Sequence, residues 1–285
     1  MRPMLSHKPM PLSANARNQR GFTLVEAVIV IVITGIVAGV VAIFIRTPVQ
    51  GYLDSARRAE LTDIADTATR RIVRDVHLAL PNSVRLVNSS TVEFLQTRTG
   101  GRYRSEADSG SSIAVGNSGN DPLDFSFGDT SFDNFGPPMS FQAGDQIVVY
   151  NLGVAGADAY EGNNRRAFSA VAGNNVTLVA GNAFPFDSPS HRFQVVDTPV
   201  TYRCDLTTQT LRRYWGYPIT VVQTDPPVGG NSALLATNVT QCQFMYNAGD
   251  PNVTARYGLL AIRLTIGKDG EAATLYQEVH VNNAP

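Results

Sequence analysis

Three patterns of apolar and polar positions follow one another along the chain. From Ala27 to Ile45 there is no charge, and Thr34 is the only hydroxyl. At about 1.5 Å per residue such a run makes a helix roughly 28 Å long, close to the roughly 30 Å hydrocarbon core of a bilayer. Gly35 and Gly39 are compatible with that helix, since glycine is common in membrane spans, and as a small-xxx-small pair they let another helix approach closely. From Val49 to Leu80 the pattern changes to apolar residues at three- and four-residue multiples: Leu53, Ala56, Ile64, Ala68, Ile72, Val76 and Leu80. Charged residues fill the positions between them, including Arg58, Arg70, Arg71 and Asp75, so this is an amphipathic helix with a solvated charged face. Pro48 marks a break or bend between the two helical stretches, and Pro81-Asn82 ends the second.

Past Pro81 the period shortens to that of strands. Alternating or β-branched runs occupy 91–96, 146–151, 175–180, 199–205, 211–215, 241–247, 259–266 and 273–281. Residues 202–214 read as a hairpin, and Gly267-Lys268-Asp269-Gly270 as the turn into the final strand. Together these predict an α+β protein: a long N-terminal helix, part membrane span and part amphipathic, packed on an antiparallel β-sheet head. Between Thr97 and Gln142 the pattern thins, and Gly, Ser, Asp and Asn dominate from Gly100 to Asp133 with scattered phenylalanines. That is long for a routine connection and reads as a surface insertion. The expected divisions are therefore 1–21, 22–46, 47–80 and a head of 81–285 carrying a 97–142 insertion.

Charge then singles out one residue. Glu26 is a carboxylate at the edge of the apolar run, costly there unless paired, and thus a functional candidate. Residues 1–21 hold Arg2, Lys8, Arg17 and Arg20 and no acid, which places them on the cytoplasmic side. A cut after Gly21 would make Phe22 the N-terminus and present an α-amine four residues before Glu26. The Glu26 of a neighbouring subunit would then neutralise that amine in a low-dielectric setting. An ordinary secretory signal has a shorter apolar region followed by a small-residue cleavage site, whereas Arg46 follows this one. A plain anchor needs neither Gly21 nor Glu26.

The segment Gly21-Phe22-Thr23-Leu24-Val25-Glu26 resembles the class III signal of type IV pilins and type II secretion pseudopilins. The resemblance implies cleavage after Gly21 by a prepilin peptidase, methylation of the Phe22 amine, and an assembly contact through Glu26 and Thr23. It implies an inner-membrane subunit with a cytoplasmic N-terminus and a periplasmic head. Its partners would be other pilins or pseudopilins, met through the N-terminal helix, and an inner-membrane assembly platform. Methylation keeps the amine charged, which suits the pairing with Glu26. The proline common inside the family's apolar segment is absent here. Residues 69–85 are similar to the helix of minor, J-type pseudopilins. Residues 202–205, 211–218 and 277–285 resemble minor subunits of mannose-sensitive haemagglutinin (MSHA) type IV pili.

The remaining chemistry is sparse. Cys204 and Cys242 are the only cysteines, and in an exported head an isolated pair is most simply one disulfide. Two cysteines without neighbouring histidines make a poor zinc site. Asp121, Asp124, Asp129 and Asp133 are weak calcium candidates, since calcium takes loop oxygens, but they lack the EF-hand spacing. No cofactor is otherwise expected. Asp187, Ser188, Ser190 and His191 have triad residue types, yet a triad is defined by geometry, and no catalytic motif is present. The chain is read as not an enzyme. Removing residues 1–21 takes four of the 23 basic residues and leaves 19 against 24 acids, a net charge of −5. A mildly acidic head gives no electrostatic support for nucleic-acid binding. Two rival roles remain: a type II secretion minor pseudopilin, and a tip adhesin in which the Phe-rich insertion or the Trp215 region contacts a surface.

Overall fold

The computed structural model describes residues 21–106, 121–247 and 257–285. Residues 1–20 of the expected division 1–21, read as the segment removed by cleavage, and residues 107–120 of the expected insertion lie outside the described residues. The chain divides into two compact units, one ending at Asp54 and one running from Ser55 to Pro285. One long helix, α1 (Leu24–Val76), is followed by twelve strands among the described residues, all paired antiparallel.

In the first unit the helix is apolar and unburied. Every large apolar side chain from Leu24 to Ile45 is between 47% and 81% exposed. This helix is long and apolar enough to cross a membrane. Pro48 lies inside α1 and does not end it, so the break among the two sequence alternatives is not found.

The second unit opens with the last turns of α1. Leu61, Ala65, Ala68, Ile72 and Val76 form its buried face, spaced three and four residues apart. Leu53 and Ala56, read as part of the same face, are exposed. Asp75 also departs from the reading of a solvated charged face, because it is buried. Its Oδ2 accepts a hydrogen bond from the Tyr202 hydroxyl and one from Arg213 Nε, both at 2.7 Å. An acid on a helix is thus clamped to the sheet by two sheet residues. Burial and the Asp75 charge push the Tyr202 hydroxyl pKa well above its usual range.

The larger sheet is built on β7 (Arg192–Asp205), which runs antiparallel to β2 (Thr91–Arg102) over most of its length. Pro199 sits beside an irregularity in that pairing, which suits a residue with no N–H to give the ladder. On its other edge the first half of β7 pairs with β4 (Gln146–Val149) and the second half with β8 (Thr210–Trp215). From β4 the sheet continues through β5 (Arg165–Ala172) and β6 (Asn175–Leu178) to β3 (Ser131–Asp133). β8 pairs with β9 (Asn231–Thr237), and β1 (Arg85–Asn88) lies outside β2. A second sheet holds β10 (Val239–Asn247), β11 (Tyr257–Lys268) and β12 (Glu271–Asn282).

Two features of this topology correct the sequence boundaries. β2 continues to Arg102, six residues into the stretch read as an insertion, and β3 lies within that stretch and pairs with β6. The glycines at 100 and 101 hide the strand pattern, but both are registered against β7. The expected hairpins are present. Asp205 pairs with Thr210, and Lys268 with Glu271 across Asp269 (φ 53°) and Gly270 (φ 84°). Positive φ at both central residues is the geometry an Asp-Gly hairpin turn supplies.

The main core packs the α1 face against Phe94, Tyr202, Phe244, Ile262 and Leu264, drawn from both sheets. A second core gathers Tyr103, Phe132, Ile147, Phe193 and Val195. Cys204 on β7 and Cys242 on β10 form a disulfide, with Cα atoms 6.2 Å apart, so the two sheets are covalently joined.

Candidate functional site at the N-terminal end of the long helix

Residues 21–26 combine an exposed, non-helical stretch with a helix start. Gly21, Phe22 and Thr23 precede α1 and are exposed, Phe22 by 77%. Thr23 is the N-cap. Its hydroxyl oxygen accepts the backbone N–H of Glu26 at 3.2 Å, and its carbonyl accepts that of Ala27 at 3.1 Å. A threonine followed three residues later by glutamate is the capping-box pattern, and the observed bond is the half in which the cap side chain serves the third helical residue. The acid at Glu26 also sits in the first turn, where the helix dipole favours negative charge.

The two roles of this hexapeptide are separable. Thr23 satisfies a backbone donor of its own helix, so its hydroxyl is already engaged. Glu26 is exposed and its carboxylate has no side-chain partner among the described residues. Gly21 is not held to glycine by its surroundings: a Cβ there would meet nothing within 4 Å, and its φ is not in the left-handed region. The same open space surrounds Gly35 and Gly39. The Thr23-Glu26 cap was legible as a threonine and a glutamate three apart, before an apolar run, but the sequence reading gave both residues to assembly.

The other sequence candidates are placed as follows. Asp121 Oδ2 accepts hydrogen bonds from Ser131 Oγ at 2.7 Å and Asn175 Nδ2 at 2.9 Å. Asp129 receives the backbone N–H of Asp124 at 2.9 Å. Asp124 Oδ1 receives the N–H and hydroxyl of Ser126, both at 2.7 Å, which hold its carboxyl below the usual aspartate range. Asp133 is buried and accepts from Asp121 N–H and Asn175 Nδ2, both at 3.1 Å. Each of these oxygens is used to fold a turn or strand end. Among the described residues no group of three or more His, Cys, Asp or Glu side chains is arranged to hold a metal.

Asp187, Ser188 and His191 do come together, but not in relay order. The Asp187 carboxylate accepts the Tyr103 hydroxyl and lies 3.6 Å from His191 Nδ1. The buried Ser188 hydroxyl instead accepts the backbone N–H of Arg192 at 3.2 Å. Trp215 is half-buried against the main core, with the Arg213 guanidinium 5.0 Å from its ring.

Residues 16–42 match the family model described as the prokaryotic N-terminal methylation motif. No curated protein and no solved structure matches the chain. The match spans the capped hexapeptide and most of the exposed apolar helix behind it, and supports a type IV pilin-like or pseudopilin chain.

Proposed function

We propose that this protein is a minor pilin-like subunit of an MSHA-type type IV pilus, cleaved by a prepilin peptidase and assembled into, or at the tip of, a filament. It is not an enzyme on this reading, and its mechanism is assembly. The observation that carries the proposal is the hexapeptide Gly21 to Glu26, set directly before an uncovered apolar helix of membrane-spanning length. Gly21 is demanded neither by space nor by backbone conformation, which favours a requirement imposed by a processing enzyme. After cleavage Phe22 carries the methylated amine, and the helix holds the subunit in the inner membrane until it is withdrawn into a bundle of like helices. There the Glu26 carboxylate of one subunit meets the Phe22 amine of another, which sets the register of the two helices.

The pilus assignment, as opposed to a secretion system, rests on the resemblance of residues 202–205, 211–218 and 277–285 to the MSHA pilus protein MshO. A type II secretion minor pseudopilin is the second reading, supported by the similarity of residues 69–85 to the J-type helix. Deleting the gene separates them: loss of surface filaments with normal protein export favours the pilus, and the reverse favours secretion.

The assembly mechanism is tested by Glu26→Ala and Gly21→Ala. Glu26→Ala is expected to be cleaved normally but absent from sheared filaments, and Gly21→Ala to remain uncleaved in the membrane. Filament entry by Glu26→Ala at the wild-type level would contradict the role given to its carboxylate.

A further inference from the structure

An open cavity of about 550 Å³ in the head is lined by Arg165 and Arg166 together with small and amide residues, among them Asn163, Ala180, Gly181 and Asn182, and by no acid. Arg166 is only 7% exposed. Its guanidinium donates to four carbonyl contacts: Val179 from Nε at 3.2 Å and from Nη2 at 3.0 Å, Asp129 from Nη2 at 3.2 Å, and Asn182 from Nη1. Those bonds satisfy donors, and the acidic charge that acts on Arg166 is that of Asp129, which forms no ion pair with it. The Asp129 carboxylate is turned to the backbone of Asp124 and Ser131. Arg165 donates from Nε to the Ala159 carbonyl at 2.8 Å and from Nη1 to Gln146 Oε1 at 3.5 Å, and its Nη2 has no protein partner among the described residues. Neither arginine forms an ion pair among the described residues, whereas the Arg58, Arg70, Arg71, Arg85, Arg98, Arg203 and Arg213 guanidinium groups all do.

Two adjacent, partly desolvated cations that form no ion pair with a carboxylate among the described residues are unusual, because a buried charge is costly unless it is paired. Burial lowers the pKa of both arginines, and for Arg165 no nearby charge opposes it. The approach to both groups is kept open by glycine. A Cβ at Gly181 would stand 2.8 Å from Arg166 Nε, and one at Gly162, whose φ is +86°, 3.4 Å from Arg165 Nη2. Guanidinium N–H groups match the oxygens of carboxylate, sulfate and phosphate groups, and Arg165 Nη2 is the open donor here, whereas Asn163 Nδ2 at the rim already donates to Glu161 Oε2 at 2.7 Å.

We infer that this cavity is a binding site for an oxyanion, either free or carried on a small polar ligand such as an acidic sugar, whose negative charge supplies the counter-ion that Arg165 and Arg166 do not find in an ion pair among the described residues. The test uses the full chain in detergent and follows thermal unfolding through Trp215, its one tryptophan. Sodium sulfate and sodium glucuronate are titrated separately against sodium chloride at matched ionic strength. Low-millimolar concentrations are used, so that the general stabilising effect of sulfate stays small. A saturable rise in the unfolding midpoint with either probe is expected for the wild type. Saturation by sulfate identifies a site for free anions, and saturation by glucuronate alone identifies a site for a ligand-borne carboxylate. Arg165→Gln is expected to weaken the responding probe by about tenfold. Ala180→Glu keeps both arginines and places a carboxylate on the cavity wall, so it is expected to abolish the response. No saturable response to either probe, or one unchanged in both variants, would overturn the inference.

Discussion

Glu93 shows how burial and pairing compete at a single side chain. It is 1% exposed, with Arg85 Nε at 2.5 Å from Oε2 and the Tyr217 hydroxyl donating to Oε1 at 3.0 Å. Desolvation outweighs both partners and raises its pKa above the ordinary glutamate value of 4.5. The folded state therefore binds this proton more tightly than the unfolded chain. The stability it contributes is complete below about pH 4.5 and is lost as pH rises through the raised value. Glu93→Gln is expected to remove that fall, which urea unfolding at a series of weakly acidic pH values would measure. An equally steep fall in the variant would assign the pH dependence to other groups. Arg85 also donates to the carbonyls of Val221 and Thr220 at 2.6 and 3.0 Å, and nothing in the local sequence marks that long-range bond. The Thr23 cap, by contrast, involves neighbours three residues apart and was readable from sequence alone.

Among the elements, the contact of α1 with the sheet depends on one buried ion pair as well as on apolar packing. Asp75 and Arg213 meet at 2.7 Å with side chains 4% and 12% exposed. Asp75→Ala would leave the Arg213 charge buried without its partner, and is expected to destabilise the head by about 3–5 kcal/mol. Asp75→Asn, which keeps an acceptor for Tyr202, is expected to cost less, and chemical denaturation of the two variants makes the comparison. The disulfide joins β7 to β10 across 38 residues. Loop-closure entropy for that span gives about 4 kcal/mol, so Cys204→Ala/Cys242→Ala is expected to unfold at markedly lower denaturant. An unchanged midpoint would mean that the sheets need no covalent link.

The same scale shows which elements the sequence announces. β11 and β12 flank an Asp-Gly turn, and the buried face of α1 repeats at helical spacing, so both are legible. β5 was missed because it opens with Arg165-Arg166, which read as surface charge although Arg166 is buried by tertiary contacts. β3 has three residues and gains its identity only by pairing with β6. Asp75 was assigned to solvent because helical periodicity locates a face but says nothing of a tyrosine and an arginine brought to it from strands far along the chain.

For the molecule as a whole, the governing fact is an N-terminal helix whose apolar side chains are uncovered, beginning at a peptide that reads as a processing signal. Such a surface is stable only in lipid or against other helices. Both environments are used in succession if the subunit is held in the membrane and later withdrawn into a fibre. That sequence of events requires a new amine at Phe22, because without it Glu26 has no cation to meet at the lipid boundary. The direct measurement is the intact mass and N-terminal peptide of the protein recovered from sheared filaments. A chain beginning at methylated Phe22 is the expected result. A recovered chain that still carried residues 1–21, or the protein's confinement to the membrane fraction of cells bearing filaments, would contradict the assembly role.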